Sequence, residues 1–330
     1  MKKVLVLGSN SFSGSNFINF LLDKNFFVYG VTRSIESEKI FLTYKNNKNI
    51  KNYKFYKLDI KKDYKKIFNL VKKNNIEYIV NFATQGMVAE SWKNPLDWYE
   101  TNVISSVRLV EFFSQYKRLK KFLHISTPEV YGSTKPNCKE SFNFNPTTPY
   151  ANSRAAFDIH LRNLHKFFNF PVVFARAANI YGPTQQLYRI IPKTIISCLK
   201  KQKIYIDGGG SSKRSFLYID DVIRGYFSLM IKGKAGSIYH LSSKNYFSIK
   251  DIVHKIINVL GKEYKKYVVY NKKDRIGKDQ NYSLSFAKIY NELGWIEKVN
   301  IDEGILKTLH WIKINFQNLN KKKLYYMHKE

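Results

Sequence analysis

The chain has 330 residues, 44% of them apolar, enough for one large α/β unit or two domains around a substantial core. A formal net charge of +31 invites a nucleic-acid reading, because Lys and Arg neutralise phosphates. The excess is mostly lysine spread over every segment, with no Arg-rich tail and no aromatic-basic module. It reads as solvated surface that concentrates small anionic ligands, and no specific nucleic-acid partner is expected.

No apolar run approaches the ~18 residues of a membrane span. The opening apolar stretch, residues 4–7, is too short for a signal peptide and runs into a Gly-Ser-Asn turn. Cys138 and Cys198 form neither a disulfide framework nor a metal-ligand cluster. A cytoplasmic protein with no membrane attachment and no metal is the expectation.

In chain order, residues 3–7 and 26–31 read as strands flanking a helix over 12–24. Strands over 52–58 and 77–82 follow, separated by an amphipathic helix over 61–73. A long helix over 95–117 leads to a strand over 121–125, and a helix over 150–168 leads to a strand over 171–175. Repeated βαβ units of this kind predict an α/β fold, a doubly wound parallel sheet of Rossmann type with ligands beyond the carboxyl ends of its strands. The second half is less regular. Gly208-Gly209-Gly210-Ser211-Ser212 is a turn, 216–219 a strand, and Asp220-Asp221 starts a helix running to 230. Short helices follow from Ser248, the last near 301–314. The domain reading is a dinucleotide-binding domain over 1–178 with a returning segment at about 216–242, a smaller mixed α/β domain over 179–215 and 243–320, and a loosely held tail over 321–330.

Gly8-Ser9-Asn10-Ser11-Phe12-Ser13-Gly14 follows the first strand and opens the first helix, the context a dinucleotide fingerprint requires. Gly8 allows the tight turn and Gly14 close packing, with a pyrophosphate on the helix N-terminus; Ser11 replaces the middle glycine. The second strand ends in Thr32-Arg33-Ser34. A carboxylate there would bind the ribose hydroxyls of NAD, whereas Arg33 and Ser34 suit the 2′-phosphate of NADP; Glu36 and Glu38 keep NAD open. Asp59 either accepts from an adenine amino group or caps a helix. Ser126-Thr127-Pro128-Glu129-Val130-Tyr131-Gly132 and Pro149-Tyr150-Ala151-Asn152-Ser153-Arg154 together offer a hydroxyl, a carboxylate, a phenol and a cation. These are the groups needed to move a hydride and protons on a sugar. Tyr150 and Arg154, at i and i+4, share a helix face, so the cation can lower the phenol's pKa. His124 and His240 sit in apolar runs and read as core histidines, and Trp92 reads equally as core or site.

These motifs are joined by Asn81-Phe82-Ala83, Arg176-Ala177-Ala178-Asn179-Ile180-Tyr181-Gly182-Pro183, Arg214-Ser215-Phe216-Leu217-Tyr218-Ile219-Asp220-Asp221 and Asp274-Arg275-Ile276-Gly277-Lys278-Asp279. As a set, running nearly end to end, they resemble the extended short-chain dehydrogenases/reductases, the NAD-dependent epimerase/dehydratase family, and within it nucleotide-sugar 4,6-dehydratases of the dTDP-glucose type. The resemblance implies tightly held NAD or NADP, contacted by Gly8, Asn10, Ser11, Phe12, Gly14, Arg33, Ser34, Asp59, Ile60, Phe82, Ala83, Tyr150 and Arg154. It implies Tyr150 as base with Arg154 standing where the family has Lys, Thr127 on the sugar 4-oxygen, and Glu129 as the base for the C5 proton. Pro128 replaces the Asp that serves dTDP-glucose dehydratases as acid; GDP-mannose dehydratases also lack it, and UDP-glucuronate decarboxylases carry a similar hydroxyl-x-Glu arrangement. Gln85, Glu90 and Ser91 are implied near sugar or nicotinamide, and Asn179, Arg214 and Arg275 on the diphosphate and nucleotide. The expected activity is 4,6-dehydration of a nucleotide sugar, with 4-epimerisation, decarboxylation and a non-catalytic nucleotide-sugar or cofactor binder as alternatives. A homodimer through a four-helix bundle of helices 95–117 and 150–168 is also implied.

Overall fold

In the computed structural model, which describes residues 1–272, 276–277, 279 and 281–328, the apolar runs of the first half form strands. They are β1 (Lys3–Leu7), β2 (Phe27–Thr32), β3 (Tyr53–Lys57), β4 (Tyr78–Asn81), β5 (Lys121–Ile125) and β6 (Val172–Ala177). The second half adds β7 (Asn179–Tyr181), β8 (Ile204–Asp207), β9 (Lys213–Tyr218), β10 (Ile238–Leu241), β11 (Tyr246–Ser248) and β12 (Val268–Asn271). Seven of these form one sheet in the order β10-β6-β5-β4-β1-β2-β3, with every neighbouring pair parallel.

Parallel sheets need both faces covered, and the period of two delivers this. Val4, Val6, Val28 and Val80 join one buried cluster, and Leu5, Leu7, Val31 and Ile79 join the other. The first face is covered by α1 (Phe12–Asp23), through Phe17 and Leu21. The second is covered by α2 (Tyr64–Asn74), by the pair α3 (Pro95–Tyr99) and α4 (Ser106–Ser114), and by α5 (Pro149–Phe168). Ile67, Leu109, Phe113 and Phe157 are among the side chains of α2, α4 and α5 that enter this cluster. Burying each contributes about 1.5–3 kcal/mol. The sheet order reverses between β1 and β4, so the loops after those strands open a crevice at the carboxyl edge.

The helix expected over 95–117 is interrupted. A π-helical turn, Glu100–Ser105, separates α3 from α4, and α4 ends at Ser114. The wider turn is held because the Ser106 hydroxyl donates to Thr101 O at 2.9 Å and Asn102 turns inward. Such turns cluster at functional sites.

The remaining helices are α6 (Ile190–Leu199), α7 (Ile219–Lys232), α8 (Ile249–Val259), α9 (Tyr264–Tyr267), α10 (Ala287–Leu293), α11 (Ile301–Ile314) and α12 (Phe316–Leu319). A three-stranded sheet, β11-β9-β7, and the pair β12-β8 are separate from the main sheet, whereas β10 returns to it beside β6. The described part of the tail, residues 321–328, is docked where the sequence predicts a loose end. Lys322, Leu324, Tyr326 and His328 are half-buried and alternate with exposed Lys321, Lys323, Tyr325 and Met327, a strap with one inward set of side chains.

Candidate active site

The crevice begins at the turn after β1. Gly8 has φ +80°, and a Cβ there would lie 2.8 Å from Ala83 N. A Cβ on Gly14 would lie 2.4 Å from Gly8 O, so α1 can approach the turn only without side chains at these positions. Ser11, in place of a glycine, is the N-cap of α1 and accepts from Gly14 N at 3.0 Å. Asn10 Nδ2 donates to Ile35 O at 2.6 Å and to Ser34 Oγ at 3.2 Å, tying the turn to the end of β2, while its buried Oδ1 has no protein partner. A side cavity of about 160 Å³ lies against Gly8, Arg33, Asp59, Ile60, Phe82 and Ala83, all expected cofactor residues. Asp59 Oδ1 accepts from Lys61 N at 2.9 Å; the N-cap position of α2 is Asp63. Glu36 is engaged elsewhere, accepting from Tyr44 OH at 2.8 Å and pairing with Lys45, and Glu38 pairs with Lys322. The glycine cradle, the helix N-terminus and the unpartnered Asn10 oxygen fit a dinucleotide.

The expected catalytic residues are placed by the geometry of α5. Thr148 caps it by accepting from Ala151 N, Pro149 occupies its first turn, and Asn169 closes it in the left-handed conformation. Tyr150, Arg154 and Asp158 then fall at i, i+4 and i+8 on the face toward β5. Arg154 is 2% exposed; it donates to Ile125 O and, at 2.9 Å, to Thr84 Oγ1. Its Nη2 lies 3.3 Å from His124 Nε2. Asp158 accepts from Ser126 Oγ at 2.6 Å and from Arg176 Nη2 at 2.8 Å, and its Oδ1 is 3.1 Å from His124 Nε2. Arg176 donates onward to Tyr131 OH, which lies 2.9 Å from His240 Nε2. Both histidines are fully buried, as their apolar runs implied.

Electrostatics set the protonation states. Burial raises the Tyr150 phenol above its usual value; the Arg154 charge is the main opposing influence, Glu129 pushes up, and the Thr127 hydrogen bond and Arg189 pull down. Among the described residues no carboxylate pairs with Arg154, so its charge remains available to the phenol. Burial pushes His124 down to about 4 and His240 to about 3, so both are neutral at pH 7. Burial would raise Asp158, but the His124 hydrogen bond and the Arg176 charge hold it below the usual carboxylate range.

Tyr150, Arg154 and Thr127 share the wall of a cleft of about 530 Å³ with Ser11, Phe12 and Asn179. Thr127 caps the short turn Pro128–Tyr131, its Oγ1 accepting from Glu129 N at 3.3 Å. Glu129 is half-buried and within electrostatic reach of both Tyr150 and Tyr282. Tyr282 OH donates to Asn179 Oδ1 at 2.6 Å, and the Arg214 guanidinium covers the Tyr282 ring at 4.2 Å. Arg214 itself donates to the Lys213 and Asp279 carbonyls, behind the cleft wall. Gln85 is buried and gripped by Asn102, which accepts from Gln85 N at 2.8 Å and donates to Gln85 O at 3.0 Å. Ser91 turns into its own loop, donating to Val88 O at 2.7 Å, and Glu90 pairs with Lys93 at 3.1 Å. Trp92 is 47% exposed, so the core tryptophan of this region is Trp98. Arg275 lies outside the described residues.

Sequence reasoning passed over Thr84, Arg189, Lys193 and Tyr282. Arg189 and Lys193 line the cleft four residues apart at the start of α6, where the helix dipole adds to their attraction for phosphate. Their spacing was the available signal; Tyr282 had none, since only the fold brings it to Asn179.

A parallel sheet with a glycine turn at its switch point, and a Tyr–cation helix beside it, defines an extended short-chain dehydrogenase/reductase. The chain belongs to the GDP-mannose 4,6 dehydratase family, whose model matches residues 5–308. It is similar to the dTDP-D-glucose 4,6-dehydratase of Dictyostelium discoideum, 31% identical over 97% of this chain and 84% of that protein. The Homo sapiens dTDP-D-glucose 4,6-dehydratase is 33% identical, over 96% of this chain and 91% of that one. A dTDP-glucose 4,6-dehydratase of Streptomyces venezuelae, solved with NAD bound, superposes with a TM-score of 0.88 at 27% identity, covering 96% of this chain and 98% of that one. A UDP-glucuronic acid 4-epimerase of Bacillus cereus, in complex with UDP-glucuronic acid and NAD, does so at 0.84 and 26% identity, covering 94% and 99%.

Proposed function

We propose that this protein is an NAD-dependent nucleotide-sugar 4,6-dehydratase, a lyase that converts a hexose nucleotide to its 4-keto-6-deoxy form. The observation that carries the reading is the meeting of Thr127, Tyr150 and Arg154 on one wall of the large cleft, with Glu129 following the wall residue Pro128. Bound NAD would supply the hydride acceptor for C4 and the hydride donor for C6. Gly8, Asn10, Ser11, Phe12 and Gly14 hold its pyrophosphate side, and Arg33, Ser34, Asp59, Ile60, Phe82 and Ala83 its adenosine side.

Thr127 orients the sugar 4-hydroxyl, and Tyr150, helped by Arg154, removes its proton as C4 is oxidised. The new ketone acidifies C5, and Glu129 takes that proton. With Pro128 where a second acid would stand, Glu129 hands the same proton to the departing C6 hydroxyl, so one water leaves and the carboxylate is restored. As the hydride reaches C6, C5 takes a proton from solvent and Tyr150 gives up the one it took from the 4-hydroxyl. Arg189, Lys193 and Asn179 face the diphosphate, where the family resemblance also puts Arg275, Arg214 steadies Tyr282 behind Asn179, and Gln85, Glu90 and Ser91 shape the loop near the sugar.

The two-domain division, with the nucleotide-sugar part over 179–215 and 243–320, is supported by β7, β8, β11 and β12 lying outside the main sheet, while β9 crosses the boundary at 215. A homodimer through the helical stretch from α3 to α4 and through α5 is supported by Ile104 of the π turn and Ile159 of α5, whose apolar side chains are 47% and 45% exposed. Among the described residues no helix is long and apolar enough to cross a membrane, which accords with a cytoplasmic enzyme.

The epimerase relatives and Pro128 favour 4-epimerisation or decarboxylation as the second reading. Mass spectrometry of products from dTDP-glucose, CDP-glucose, GDP-mannose, UDP-N-acetylglucosamine and UDP-glucuronate separates these. Dehydration predicts loss of one water from one member, whereas loss of carbon dioxide, or an isomer of unchanged mass, would replace it.

A further inference from the structure

The strap that follows α12 touches three separate parts of the fold, one of them the wall of the large cleft at Tyr188. Near its start, Lys322 pairs with Glu38, beyond the end of β2, and covers the Phe41 ring. Leu324 packs against the main core cluster. Tyr326 meets the Tyr188 ring edge-on, with centroids 5.4 Å apart. Its hydroxyl is 3.3 Å from His328 Nδ1. Arg33, Glu90 and Arg189 all stand within electrostatic reach of the Tyr326 hydroxyl. The His328 ring stacks on Trp98 at 5.0 Å and 11°, and its Nε2 lies 2.7 Å from Asp97 Oδ2.

These contacts define a position. Arg33 belongs to the side cavity, whereas Tyr188 and Arg189 belong to the large cleft. Trp98 is tied through its Nε1 to Gly86 O at 3.0 Å, in the loop whose Gln85 and Met87 line the two cavities. Tyr326 therefore packs on the large cleft's wall at Tyr188 and stands within electrostatic reach of Arg33 of the side cavity, and the two cavities share Ser11, Phe82 and Thr84.

We infer that residues 322–328 are part of the dinucleotide site: a strap that roofs the pyrophosphate of a bound dinucleotide, with Tyr326 as its central contact and His328 as its latch on α3. The inference rests on reading the glycine turn as a dinucleotide site. A roof of this kind serves an enzyme whose hydride leaves and returns within one turnover, because the cofactor need not exchange. The alternation is what makes the strap possible. Even-numbered side chains grip the body while Tyr325 and Met327, 59% and 52% exposed, face solvent.

The test is the dissociation rate of NADH from protein loaded with it, followed by the fall in bound-NADH fluorescence when excess NAD is added. No sugar nucleotide is present, so failure of the strap and failure of the dehydratase reading are separate results. The Tyr326→Ala/His328→Ala variant is expected to release NADH about tenfold faster, the loss of roughly one aromatic contact. Asp97→Ala, which frees the latch without touching the strap, should act in the same direction and decides the matter if the double variant fails to fold. Tyr325→Ala/Met327→Ala should release NADH at the wild-type rate. Equal rates in the wild type, the folded double variant and Asp97→Ala would overturn the proposal.

Discussion

At the scale of the residue, the site is governed by one cation in a buried setting. Arg154 is planar and fixed by Ile125 O and Thr84, where a lysine would be a mobile point charge. Its charge opposes the burial that holds the Tyr150 proton. Arg154→Gln should therefore shift the acidic limb of the kcat–pH profile to higher pH, because the phenol must ionise to act as base. Tyr150→Phe should lower kcat by about 10²–10⁴-fold, the usual worth of a positioned proton acceptor, with NAD still bound. A limb unmoved by Arg154→Gln would mean that another group ionises in that step.

The buried histidines make a separate claim about stability. In the unfolded chain they titrate near 6.5, whereas in the fold burial holds them at about 4 and about 3. For a base with a depressed folded pKa, the unfolded chain binds more protons between the two values. Their contribution is thus complete above about pH 6.5 and is lost as pH falls toward 4. The thermal midpoint should drop over that window, and His240→Gln should flatten the drop. A midpoint constant from pH 7 to 4.5 would contradict this.

At the scale of the element, the π turn has the clearest consequence. Asn102 sits in it, fully buried, bonded to Gln85 through both backbone groups, to Thr84 Oγ1 at 2.9 Å and to Ser153 Oγ at 3.0 Å. Thr84 in turn holds Arg154, so one amide links the expected dimer helix to the proposed catalytic cation. Asn102→Ala should cost about 3 kcal/mol in a denaturant titration by leaving buried groups unpaired, and should lower kcat more than it raises KM.

The same elements show what a sequence makes legible. β1, β5 and the starts of α1 and α5 follow from local rules: apolar runs, the Gly8 turn, the Thr148-Pro149 start. The π turn was read as continuous helix because its cause is long-range, the pairing of Asn102 with a loop from another strand. Arg214 was read as facing the diphosphate, yet its guanidinium is taken up by carbonyls of its own neighbourhood. The strap resembled a lysine-rich loose end, since nothing local says that Trp98 and Tyr188 wait for alternate side chains.

At the scale of the whole molecule, the +31 charge is a surface property with a kinetic expression. It raises the local concentration of nucleotide sugars and is screened by salt. The exposed Ile104 and Ile159 belong to the same scale. If α4 and α5 pair between copies, Ile159→Asp should convert a dimer to a folded monomer in analytical ultracentrifugation; an unchanged mass would remove that face from the assembly.

The central claim is that one cofactor lifts a hydride from C4 of a nucleotide sugar and returns it to C6 of the same sugar. The direct measurement is mass spectrometry and deuterium NMR of the product from dTDP-glucose deuterated at C4. The account predicts that one water is lost and that the deuterium is retained in the product, now on C6. A dehydrated product in which C6 carries no deuterium, or a substrate that keeps its C6 oxygen throughout, would contradict it.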